Sequence, residues 1–220
     1  MNCFTHALPF LDRPVFMVGC CVPDWLSSAD RKCRAREKLA AKFVDDSDPF
    51  VAEVASGIMQ HHHDDVWFHQ TKAFGYWSVH FTRELADIFV GEEGFRPSLI
   101  GHVVIELLLD AYLTTEYPGK LDRYYEQVGS VDASQLQDAI SQIATRPTED
   151  LQPYVDKYLQ SRFLFDYLDD DRLAFRLNGI MKRVKLPPLD DRIVEWLPTV
   201  RERVYANAAS LLDQYPITIE

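Results

Sequence analysis

Apolar residues recur every three or four positions through most of this chain, and strict alternation is nearly absent. That period puts apolar side chains on one stripe of an α-helix, so the pattern predicts an almost wholly all-α fold. Over 48–67, Phe50, Val51, Val54 and Ile58 keep helical spacing, with Asp48 placed as a cap and Pro49 in the first turn. Phe74, Trp77, Phe81, Leu85 and Ile88 predict a second amphipathic helix within 68–89, and Gly91 and Gly94 then break the chain. A third helix over 97–117 is apolar nearly all round. Shorter helices follow over 121–128 and 133–143, then a longer, aromatic-rich one over 150–168. Asp169, Asp170 and Asp171 stand where they cap a helix running to Lys185, and Pro187 and Pro188 separate it from a last helix over 190–213, interrupted or kinked near Pro198. Near the start, Pro9 and Pro14 discourage a long helix. At 220 residues the expectation is one helical domain, with 1–118 carrying the functional residues and 119–220 packing on them.

Two stretches break the amphipathic pattern with chemistry. Residues 57–69, GIMQHHHDDVWFH, hold four of the seven histidines, and His61, Asp65 and His69 fall on one helix face because each lies four positions after the last. Neutral imidazole and carboxylate on one ridge is ligand chemistry for zinc, iron, nickel or manganese. In the 97–117 helix, His102, Glu106 and Asp110 form a second polar ridge with the same spacing. A helix apolar on its remaining faces is expected to be buried, and a buried carboxylate costs several kcal/mol unless a cation or strong donors meet it. Two such ridges are what a metal site between helices requires.

Composition narrows the classes. A net charge of −11 argues against a nucleic-acid binder, which needs a basic face. The one dense basic segment, Arg31, Lys32, Arg34, Arg36 and Lys38, reads as a solvated helix face or a dock for an anionic substrate or acidic protein. Cys3, Cys20, Cys21 and Cys33 show no disulfide or CxxC spacing and read as reduced, apolar fillers. The apolar run over 15–22 is too short to span a bilayer, so no membrane span and a cytoplasmic location are the expectation. Arg162, Arg172, Arg176 and Arg183 are candidates to clamp a phosphate.

Four patches, in order, resemble the acyl carrier protein phosphodiesterase family, a helical relative of the HD-type metal phosphohydrolases. MNCFTH is similar to that family's MNFLAH, GCCVPDWL to GNLLADF, GIMQHHHDDV to GIYMHRRIDV, and LLLDAYL to a DHFL segment. By itself His6 reads as a satisfied core or surface histidine, and Asp24 as a cap or turn residue; the resemblance makes both metal ligands beside His61, Asp65 and Asp110. The His102–Glu106 pair resembles the HxxxE pairs of the zinc-dependent phospholipase C group. His63 and Asp64 form a literal HD dipeptide and stand as the alternative source of ligands.

The resemblance implies a hydrolase, a phosphodiesterase using metal-activated water, with a phosphoester such as an acyl carrier protein's as substrate. The candidate ligands are then His6, Asp24, His61, Asp65, His69, His102, Glu106 and Asp110. Eight exceeds what one divalent ion (zinc, manganese, iron or nickel) uses, so either two ions sit there or several residues orient ligands. Glu106 or Asp65 is the candidate catalytic base. The competing expectations are a helical metal-binding or scaffold protein without catalysis, and hydrolysis of an amide or lactone.

Overall fold

The computed structural model describes residues 1–213 and Tyr215, and among them every regular element is a helix. The fold is all-α. In chain order the helices are α1 (Cys3–Ala7), α2 (Pro14–Ala29), α3 (Glu37–Ala40), α4 (Pro49–Gln70), α5 (Lys72–Ile88), α6 (Pro97–Glu116), α7 (Lys120–Ser130), α8 (Ala133–Ile143), α9 (Leu151–Ser161), α10 (Asp170–Arg183), α11 (Arg192–Ala206) and α12 (Ala208–Leu211), with 3₁₀ turns at Leu8–Phe10 and Phe163–Leu168.

Local chemistry explains the boundaries. Asp48 Oδ1 accepts from the Phe50 amide at 2.9 Å, Thr71 Oγ1 from Phe74 at 3.2 Å, and Asp169 Oδ1 from Arg172 at 2.9 Å, each satisfying an amide of a first turn. Pro14 opens α2 as its first residue, where its missing N–H costs nothing. The helix expected over 150–168 is α-helical only to Ser161. Arg162 turns left-handed at φ 44°, and the chain tightens into a 3₁₀ segment. The last helix is interrupted at Asn207, while Pro198 lies inside α11. The basic segment is largely loop, with α3 beginning only at Glu37.

The described chain divides into two compact units, Met1–Val66 with Tyr117–Arg162, and Trp67–Glu116 with Phe163–Tyr215. In the first unit α2 packs against α1, α7 and α9. Gly19 of α2 meets Gly57 of α4 so closely that a Cβ on Gly57 would stand 2.1 Å from Phe16 O and 2.8 Å from Gly19 Cα. Only two facing glycines allow that approach. In the second unit α6 packs along α5, with Gly101 against the backbone of Phe81 and Thr82, and α11 and the second 3₁₀ segment cover α6. The α6 helix is long and apolar enough to cross a bilayer, and more than half of that stretch is buried inside the protein.

Candidate metal centres

The close α2–α4 crossing at Gly19 and Gly57 determines where His61 points. One turn beyond Gly57, His61 Nδ1 lies 2.8 Å from the carbonyl oxygen of Cys20, the neighbour of Gly19. A carbonyl only accepts, so Nδ1 carries the proton and Nε2 presents its lone pair. His6, on α1, is held the same way: its Nδ1 lies 3.1 Å from Asp64 Oδ2, and Asp64 is steadied by Gln60 Nε2 donating to Oδ1 at 2.7 Å. The two rings pack 4.2 Å apart.

Both Nε2 atoms converge on Asp65, His6 at 3.3 Å from Oδ1 and His61 at 3.4 Å from Oδ2. His6 Nε2 is buried and outside hydrogen-bond geometry. The α-ammonium of Met1 donates to Asp65 Oδ1 at 2.6 Å. Two imidazoles with their Nδ1 atoms held by a carboxylate and a carbonyl, facing a second carboxylate, make an arrangement suited to metal ligation. His6 and His61 are 0% and 4% exposed, whereas the Asp65 side chain is 30% exposed and gives the group its opening to water.

Charge follows from this geometry. Burial disfavours a charged imidazole at His6, but the carboxylates of Asp64 and Asp65 outweigh it and raise its pKa to about 9. At His61, burial and the neighbouring charge on His6 push the pKa down. Burial would lift the Asp65 carboxyl, yet His6, His61 and the α-ammonium hold it far below the usual carboxylate range.

A second triad joins α4 to α6. His69 Nε2 lies 3.0 Å and His102 Nε2 3.2 Å from the same oxygen, Glu106 Oε1. Each triad's three donor atoms lie within 4.8 Å of one another, a spacing one ion can bridge. Burial opposes ionisation of Glu106, but surrounding positive charge and hydrogen bonds from His102 and His69 hold its carboxyl below the ordinary glutamate range. A carboxylate so stabilised is a weaker proton acceptor and stays ionised across the ordinary pH range, which applies equally to Asp65.

The structure therefore groups six of the eight expected ligands, as His6–His61–Asp65 and His69–His102–Glu106. Asp24 stands outside both groupings; it accepts from the Cys3 thiol at 3.5 Å, and its charge reaches His61. Asp110, one turn past Glu106 and 1% exposed, also lies outside them. Of the HD dipeptide, His63 faces solvent beside Glu37 at 3.4 Å, and Asp64 orients His6. Arg162 is engaged by Asp122, and Arg172 and Arg176 by Asp166. Sequence reasoning missed the orienting roles of Asp64 and Cys20 O. The legible signal for Asp64 was its place one residue before Asp65, on the flank of the same ridge. No family model, curated protein or solved structure matches this chain.

Proposed function

We propose that this protein is a metal-dependent hydrolase of phosphoesters, with a divalent transition-metal ion held by His6 Nε2, His61 Nε2 and Asp65. The observation that carries the reading is the pinning of both Nδ1 atoms, by Asp64 and by Cys20 O, which leaves two Nε2 atoms converging on one carboxylate. Two imidazoles and a carboxylate favour zinc, iron, manganese or nickel over calcium or magnesium. Bound there, such an ion lowers the pKa of a water ligand to about 7 and offsets charge on phosphoryl oxygens. The chain's own part is to fix the tautomers, supply a negative ligand and keep its donors dry on all sides except that of Asp65. The phosphoester as target is supported by the family resemblance in the first half of the chain. Protein purified without a tag or nickel column, assayed on bis(4-nitrophenyl) phosphate, is expected to turn over, to stop with chelator and to recover with added metal. Absence of chelator-sensitive turnover refutes the hydrolase.

A second reading, a non-catalytic metal protein, is favoured by the depth of His6 and His61, which suits a structural ion. Bound metal without turnover on phosphate, amide or lactone substrates would select it.

A further inference from the structure

We infer that His69, His102 and Glu106 form a site of their own for an exchangeable divalent cation of the zinc class. The inference does not depend on the hydrolase reading, because it uses none of the donors assigned above.

Its first ground is convergence. Two imidazole nitrogens approach a single carboxylate oxygen, at 3.0 and 3.2 Å, from helices far apart in sequence. Donors bound at about 2.1 Å to a tetrahedral ion stand roughly 3.4 Å from each other, so little movement separates this arrangement from a bound one. The second ground is rigidity. The Phe74 ring packs on both imidazoles, at 4.9 Å from each, edge-on to His102, and the imidazoles lie 4.8 Å apart. Phe74 is itself fixed because Thr71 caps its turn, and Gly101 brings α6 against α5 right beside His102. A plain helix ion pair between His102 and Glu106 needs neither the second imidazole nor the aromatic brace.

Exposure sets the kind of site. The side chains of His69 and His102 are 34% and 38% exposed and that of Glu106 15%, so an ion enters from solvent and keeps water on its remaining positions. Three protein donors and open positions describe an exchangeable site rather than a closed structural one. Imidazole nitrogen in two of three places selects zinc, cobalt, nickel or copper and discriminates against magnesium and calcium.

The test uses the full, untagged chain, stripped with chelator and titrated with Zn²⁺ or Co²⁺ alone against a competing chromophoric chelator, with Mg²⁺ as control. His102→Gln and Glu106→Gln are each expected to bind one equivalent of Zn²⁺ fewer than the wild-type protein, or to bind it at least about 100-fold more weakly. Histidine Cε1–H resonances follow the same titration in the wild-type protein, and those of His69 and His102 are expected to shift together as that equivalent binds. Circular dichroism confirms that each variant is folded, and a variant that fails this is replaced by His69→Gln. Unchanged stoichiometry and affinity in the folded variants, or wild-type His69 and His102 resonances unmoved by Zn²⁺, overturns the inference.

Discussion

Replacing Gly57 with alanine tests whether the α2–α4 crossing positions the candidate metal centre. The new Cβ would lie 2.1 Å from Phe16 O, 2.8 Å from Gly19 Cα and 2.9 Å from Cys20 N, all backbone atoms that cannot rotate away. An ordinary carbon–oxygen contact is about 3.2 Å or more, so the helices must separate by roughly 1 Å. Such overpacking costs about 3 kcal/mol, against about 1 kcal/mol gained from alanine's helix propensity, leaving a net loss near 2 kcal/mol. The same movement lengthens the 2.8 Å bond from His61 to Cys20 O beyond useful range and frees the imidazole to turn. Gly75→Ala is the matched control, since nothing lies within 4 Å of its Cβ and it keeps the propensity gain. Urea melts of both variants beside wild type, with Zn²⁺ affinity from chelator competition, provide the assay. The expected order of stability is Gly75→Ala above wild type above Gly57→Ala, with metal affinity reduced only in the last. Gly57→Ala matching Gly75→Ala in stability and wild type in affinity refutes the packing argument.

Four other outcomes follow. Asp64→Ala is expected to weaken metal binding about 10–100-fold because His6 loses its Nδ1 acceptor, and Asp64→Asn, which can still accept, is expected to recover part of it, measured by the same competition titration. Because the metal-free His6 has a pKa near 9, metal uptake at pH 7 should release about one proton and affinity should climb about tenfold per pH unit, levelling above pH 9; calorimetry in two buffers of different ionisation enthalpy checks the count. The raised His6 pKa also stabilises the metal-free fold fully below pH 6.5 and loses that contribution as pH rises through about 9, a decline on the order of 3 kcal/mol that metal loading should reverse, read from melts across pH. Thr71→Ala removes the α5 cap and should cost about 1 kcal/mol, and an unchanged urea midpoint would contradict the capping role.

Much of the helical layout was legible because it depends on neighbours along the chain. Asp48 and Asp169 cap by bonding amides two or three residues away, and the apolar spacing of Phe74, Phe81 and Leu85 marks a face that the structure buries. The end of α9 was not, because Arg162 takes a left-handed conformation with no glycine to announce it. The candidate ridges were visible at four-residue spacing, but how their members group was not. His61 and His69 share a ridge on α4, yet their partners, His6 on one side and His102 with Glu106 on the other, come from elsewhere in the chain. Gly19 and Gly57 look unremarkable in sequence. Only their facing one another brings His61 to a main-chain carbonyl, and no local pattern encodes that.

In the proposed centre His6 and His61 would bind a cation through Nε2 atoms whose tautomers the fold sets, and Asp65 through a carboxylate oxygen. Cobalt substitution of the untagged protein, read by optical absorption and elemental analysis for wild type and for His61→Ala, tests it most directly. Wild type is expected to hold cobalt with a low-symmetry nitrogen–oxygen spectrum, and His61→Ala to hold one equivalent less. Equal cobalt content and an identical spectrum in the two proteins would contradict it.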